Sequence, residues 1–252
     1  MLQLRDVTTG YGSHVVARHL TATLPSGQLV SILGPNGVGK STLLRTLAAL
    51  QPPLAGQIHL GQTPLHSLSS QALSRHLSIV LTQPSAPPHT TVAALVAFGR
   101  SPYTNFWGHL TPQDRDIVRQ AMQQTGIQTL AQRTVDTLSD GERQKAMIAK
   151  AVAQQTPLIL LDEPTAYLDF PSKVETMRML RQLAHQQHKA ILLTTHDIQM
   201  ALQLSDHIWL VSPDGIVSGT PLQLAADGTL TRFLDHEGVT FSPDDLTLHI
   251  RP

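Results

Sequence analysis

The chain has 252 residues, 41% of them hydrophobic, no cysteine, and 18 Lys plus Arg against 18 Asp plus Glu. That length can bury a substantial core, while the balanced charge offers no extended positive field for nucleic acid phosphates. Without cysteine there is neither a disulfide framework nor a thiolate metal site. The opening MLQLRDVTTGYG lacks the basic-then-apolar pattern of a signal peptide. The longest apolar runs, at 92–98 and 158–161, are shorter than the roughly 18 to 20 residues a membrane helix needs, so any membrane role is expected through a partner.

In chain order, residues 2–7 and 28–33 read as strands, the second running through a Gly-rich turn into a helix at about 40–49. Short strands follow near 57–60 and 77–81, then a Pro- and polar-rich loop at 83–90. From 91 to about 154 the period is helical. Thr111-Pro112-Gln113-Asp114 supplies an N-cap, a first-turn proline and an acid, and Gly126 is placed to end that helix. Leu158–Asp162 and residues 190–195 are continuous apolar runs, as expected of parallel strands covered on both faces. Residues 207–217 form an expected antiparallel tail turned at Pro213-Asp214-Gly215. The alternation predicts an α/β nucleotide-binding domain over 1–222, interrupted by a helical insert at about 84–155, with an extension at 223–252 whose pattern specifies little.

Gly34-Pro35-Asn36-Gly37-Val38-Gly39-Lys40-Ser41 matches G-x-x-x-x-G-K-[ST] between an apolar strand and a helix. Such glycines let successive backbone N–H groups face a phosphate, and the helix N-terminus adds its positive dipole end. Lys40 is expected to reach the β- and γ-phosphates and Ser41 to ligate Mg²⁺. A Gly-rich turn before an ordinary helix is the plain alternative. Asp162-Glu163 closes the buried strand at 158–162, where α/β sheets place their ligands. Asp162 suits Mg²⁺ and Glu163 suits general-base work on water, whereas a solvated acidic loop is the competing assignment.

The full set of motifs resembles the ATP-binding-cassette nucleotide-binding domain over about residues 11–209. The resemblance implies a P-loop NTPase core, a RecA-like sheet with helices, joined to an N-terminal antiparallel β part and a helical insert. It implies that Tyr11 stacks on adenine and that Gly34, Pro35, Asn36, Gly37, Val38, Gly39, Lys40, Ser41 and Thr42 cradle the phosphates. Gln83 would contact Mg²⁺ and the membrane partner, so that Ser41, Gln83 and Asp162 form the metal set and Lys40, Gln83, Glu163 and His196 the catalytic set. Ser139 and Gly141, in Leu138-Ser139-Asp140-Gly141-Glu142, would meet nucleotide held by a facing subunit, and Ala166-Tyr167-Leu168-Asp169 would contact that subunit.

These residues also have plain structural assignments. Tyr11 could be a packed turn residue, His196 a core histidine, and Ser139 with Glu142 a capping box. Asp140 and Glu142 depart from the commonest LSGGQ form. A carboxylate near a phosphate repels it, so Asp140 is expected to point away or to pair with Arg143 or Lys145. His185 and His188, three apart, are assigned to a solvated helix face rather than to a metal.

By the same resemblance the cofactors are ATP and Mg²⁺. The partners are a second copy in a head-to-tail homodimer, two polytopic permease subunits and, through them, an external substrate-binding protein, with no nucleic acid. The expected location is the cytoplasmic face of the cell membrane. Residues 92–116, with Phe98-Gly99-Arg100-Ser101-Pro102-Tyr103 and Trp107-Gly108, resemble the ATPases of importers for iron-siderophore, haem and cobalamin, siderophore being favoured. Aromatic anchors beside Arg100 are expected to dock a partner helix. A soluble cassette ATPase acting on DNA or ribosomes, and an idle scaffolding subunit, are the alternatives from other classes.

Overall fold

The computed structural model describes residues 1–82, 88–105, 107–235 and 239–250. Strands β1 (Leu2–Tyr11) and β2 (His14–Leu24) form an antiparallel hairpin whose apolar residues Leu2, Leu4, Val7, Leu20 and Leu24 face the core. Bulges between Leu4 and Val7 and again near Thr9 break strict alternation, which explains why β2 was not anticipated and why β1 was expected to stop at residue 7. Strand β3 (Leu29–Leu33), buried along its whole length, leads into helix α1 (Lys40–Leu47), which ends two residues earlier than expected. Strands β4 (Ala55–Leu60) and β5 (Thr63–Pro64) complete a four-stranded sheet in the order β2-β1-β4-β5.

Helix α2 (Ser70–Leu73) precedes strand β6 (Leu77–Val80). The insert then contributes α3 (Val92–Ala97), α4 (Pro112–Gln124) and α5 (Asp140–Ala153). Helices α4 and α5 each start on a complete capping box, Thr111 with Asp114 and Ser139 with Glu142, in which side chain and backbone exchange hydrogen bonds. The chain returns to the sheet with β7 (Leu158–Asp162), α6 (Phe170–Gln187), β8 (Ala190–Thr194), α7 (Ile198–Leu204) and the hairpin β9 (His207–Ser212) and β10 (Gly215–Gly219). The six-stranded sheet runs β10-β9-β3-β8-β7-β6, with β9, β3, β8, β7 and β6 mutually parallel and β10 antiparallel at the edge. Full burial of β3, β7 and β8 matches their continuous apolar sequences, each Leu or Ile contributing about 1.5–3 kcal/mol.

The expected boundary at 222 falls inside helix α8 (Pro221–Ala226). This helix, α9 (Thr229–Leu234) and the hairpin β11 (Val239–Ser242) and β12 (Thr247–Ile250) share an apolar cluster with the main domain. In it Leu224, Leu230, Leu234 and Phe241 pack with Leu33, Leu202 and Leu210. Arg100, beside the aromatic residues expected to dock a partner helix, is itself buried, with Nε donating to Asp114 Oδ1 at 2.8 Å and Nη1 to the Ala153 carbonyl at 2.9 Å. Its guanidinium lies 4.1 Å from the Tyr103 ring centroid. A guanidinium among so many neighbours is matched by a fixed acid, a pairing the local sequence does not reveal. Phe98 and Trp107 are exposed as expected. No described helix is long and apolar enough to cross a membrane.

Candidate functional site

At the C-terminal ends of β3, β7 and β8 the chain leaves the sheet three times, and each exit carries polar groups toward one cleft of about 510 Å³. Val16, Asn36, Gly37, Gly39, Lys40, Ser41, Thr42, Glu163 and His196 line it. The loop from Gly34 to Gly39 curls because Gly37 and Gly39 take φ of 79° and 99°, conformations that disfavour a side chain. At Gly39 a Cβ would also stand 2.4 Å from Val16 Cγ1, so backbone packs tightly against β2 there. Gly37, Gly39 and the first residues of α1 line the cleft, an arrangement suited to an anion.

Lys40 folds over this loop, donating from Nζ to the carbonyls of Gly34 at 2.7 Å and Pro35 at 3.1 Å. Burial holds its ammonium below the ordinary lysine range, opposed by the negative charges of Glu163 and then Asp162. Across the cleft, Ser41 Oγ donates to Asp162 Oδ1 at 3.0 Å. A hydroxyl and a buried carboxylate so close are hard oxygen ligands of the kind Mg²⁺ takes. Thr194, which the sequence did not single out, ties the two acids together. Its hydroxyl donates to Asp162 Oδ1 at 2.8 Å and accepts from the Glu163 N–H at 2.9 Å. A threonine ending an apolar strand was the only available signal.

Glu163 has φ of 50°, a left-handed conformation uncommon for a non-glycine residue, which turns its side chain out of strand direction. Its Oε1 lies 2.6 Å from His196 Nε2. Two members of the expected catalytic set are therefore brought together, although 33 residues separate them. Tyr11, at the end of β1, reaches the first turn of α1, its hydroxyl 3.2 Å from Thr42 Oγ1 and its ring half exposed. Pro35 and Val38 belong to the loop, Val38 being buried in the core cluster that also holds Leu43. Gln83 lies outside the described residues.

Ser139 and Gly141 are not brought to this cleft. They sit at the start of α5, where the Ser139 hydroxyl accepts from the Glu142 N–H at 3.3 Å and lies 3.1 Å from Glu142 Oε2. The Ser139 backbone N–H, first, then its hydroxyl and the charges of Arg133 and Lys145, hold the Glu142 carboxyl below the usual carboxylate range. Asp140 is exposed and faces Arg143 at 3.9 Å, a surface pair worth about 0–1 kcal/mol. Lys145 instead pairs with Glu175 at 2.8 Å. Tyr167 and Phe170, in and just after the predicted dimer loop, are each more than 70% exposed, while Asp169 caps α6 by accepting from the Ser172 N–H. His185 pairs with Asp206 at 2.9 Å and His188 caps α6, so both have structural partners or places.

Residues 17–166 match the family described as ABC transporter. The chain belongs to that family. It is 40% identical over 221 residues to the achromobactin transport ATP-binding protein CbrD of Dickeya dadantii, spanning 87% of this chain and 82% of that one. It is 36% identical over 232 residues to the ferric enterobactin transport ATP-binding protein FepC of Escherichia coli, spanning 92% and 86%. Among solved structures it resembles an inward-facing conformation of a metal-chelate type ABC transporter, with a TM-score of 0.80 and 26% identity over 100% of this chain and 96% of that one. As a member of the ABC family the chain is an ATP-binding, ATP-hydrolysing subunit of a transporter.

Proposed function

We propose that this ATPase energises the import of a ferric siderophore, docked on two membrane permease subunits and working as a head-to-tail homodimer with Mg-ATP at its interface. The observation that carries the pairing is the split site. The cradle, Ser41–Asp162 and Glu163–His196 converge on one cleft, whereas the capped N-terminus bearing Ser139 and Gly141 lies elsewhere on the same chain. A second copy turned head to tail would bring that helix start, with its free N–H groups, against the γ-phosphate. Ser41 and Asp162, with Gln83, would hold the Mg²⁺ that neutralises phosphate charge.

The chain's own groups then have separable tasks. Glycine-rich backbone and Lys40 hold the phosphates, and the Tyr11 ring offers a face for adenine. Glu163 accepts a proton from the attacking water, and His196, paired with it, fixes its direction. Loss of the bridging γ-phosphate would weaken the closed dimer and shift the population toward the open one. Exposed Phe98 and Trp107 on the insert supply apolar anchors for a permease helix. A binding protein outside the membrane would deliver cargo to the permease, and the ATPase would lie on the cytoplasmic face.

The siderophore assignment is supported by the two quoted relatives, described as achromobactin and ferric enterobactin transport ATP-binding proteins. Reconstitution of the full chain with its permease in vesicles, followed by uptake of radioactive ferric siderophore and of labelled cobalamin, tests it. ATP-dependent siderophore uptake is expected. Uptake of cobalamin alone replaces that cargo, and co-purification with ribosomes or DNA in place of a permease refutes the transport role.

A further inference from the structure

The C-terminal extension lies against α7, the helix that follows His196. His196 sits between the end of β8 and the first turn of α7, and its side chain is half exposed. On one side the segment is tied to the sheet, with Thr195 N donating to the Ile32 carbonyl at 3.4 Å. On the other it depends on α7, a helix of only 7 residues, too short to hold itself in place. Asp197 caps α7 by accepting from the Met200 N–H at 3.1 Å and pairs with Lys173 at 3.4 Å.

Gln199, in the first turn of α7, reaches across to the hairpin β11–β12. Its Nε2 donates to the Leu246 carbonyl at 3.0 Å and its Oε1 accepts from the Leu248 N–H at 3.1 Å. One amide thus satisfies a donor and an acceptor on the same stretch of main chain, and only one orientation of the amide does both. Around this clamp, Ile198 and Ala201 pack with Phe241 and Leu248. Phe233, Leu234, Val239 and Leu248 face Pro35 and His196 across a mostly apolar cavity of about 420 Å³. The extension therefore faces the phosphate loop and His196 across this cavity.

We infer that Gln199 is a positioning residue for hydrolysis: by clamping α7 to the C-terminal hairpin it sets where His196 stands relative to Glu163. This rests on the ATPase assignment above and adds to it a task for residues 239–250. The clamp touches neither the phosphate-facing backbone nor Lys40, so its loss is expected to change the chemical step more than nucleotide binding. A displacement of His196 and Glu163 by about 1 Å can cost on the order of 10²-fold in rate.

The test uses the full chain. Gln199→Leu removes both hydrogen bonds while keeping the side chain's bulk, and Gln199→Glu retains the acceptor for the Leu248 N–H. Phosphate release is measured for both, for the parent and for Glu163→Gln, alongside ATP affinity and thermal melting. Expected results are a kcat at least about 10-fold lower for Gln199→Leu, a smaller loss for Gln199→Glu, and a KM for ATP within about twofold of the parent. In a His196→Ala background, Gln199→Leu is expected to add nothing, because residues acting through one group are not additive. An unchanged kcat, an equal fall in ATP affinity, or a full additive loss without His196 overturns the clamp's role. Should Gln199→Leu not fold, Gln199→Glu decides alone by the same criteria. A parent that fails to hydrolyse ATP overturns the ATPase assignment and the clamp with it, whereas an active parent with an indifferent Gln199 overturns the clamp only.

Discussion

Replacing Glu163 with glutamine separates proton acceptance from every other task in the cleft. The amide has nearly the same shape as the carboxylate, and its oxygen can still accept from His196 Nε2, now 2.6 Å from Glu163 Oε1. Both side chains are partly exposed, so exchanging a charge-assisted bond for a neutral one costs at most about 1 kcal/mol of stability. The Thr194 hydroxyl binds the backbone N–H at this position, so the turn that aims the side chain persists. What disappears is the capacity to take a proton from water. Loss of general-base catalysis costs about 10²- to 10⁴-fold, equivalent to about 2.7–5.4 kcal/mol in the barrier. Nucleotide affinity should remain, because the cradle and Lys40 are untouched. Phosphate release at saturating Mg-ATP, with sedimentation velocity on the same samples, measures both consequences. Hydrolysis should collapse while a nucleotide-bound dimer accumulates. Turnover equal to the parent's, or a variant that no longer binds ATP, refutes the assignment of Glu163.

Lys40→Ala should weaken ATP binding itself if, as proposed, its cation holds the phosphates; equal nucleotide affinity by calorimetry would remove Lys40 from that role. Gly39→Ala should lose nucleotide binding with little change in overall secondary structure, because a Cβ meets Val16 at 2.4 Å in a backbone at φ 99°; normal ATP affinity would contradict the tight cradle. Asp114→Ala should destabilise the insert by about 3–5 kcal/mol by stranding the buried Arg100, as read by urea denaturation. The Thr111 hydroxyl above all, then Arg100, hold the Asp114 carboxyl below its usual range despite burial. A folded-state pKa below the unfolded value of about 3.9 gives stability that is present above that value. It is lost as pH falls through the depressed folded value, so Asp114→Asn should flatten the acid limb of the stability profile, and an unchanged limb would refute the pairing.

Much of the local chemistry was legible in the chain itself. The Gly-rich turn at 34–39, the helix starts at Thr111 and Ser139, and the apolar runs of β7 and β8 depend on hydrogen bonds or periodicities spanning only a few residues. Where local pattern was broken, it misled. Bulges hid β2, and an extension whose apolar residues cluster with residues of α7, β3 and β9 gave no period to read.

The contacts that make a site out of these pieces are long-range, and tertiary structure alone decided them. Ser41 meets Asp162 from 121 residues away, Tyr11 meets Thr42, and Thr194 binds both strand-end acids because β7 and β8 are parallel neighbours in register. Arg100 shows the same division: its place beside exposed aromatic residues says nothing of its own burial, which an acid 14 residues on and a carbonyl 53 residues on decide. Residue types and short spacings fix which groups can do chemistry, since side-chain character and backbone preference are local. Which of them face one another depends on how the sheet orders its strands, and that is settled by burial of the whole apolar set at once.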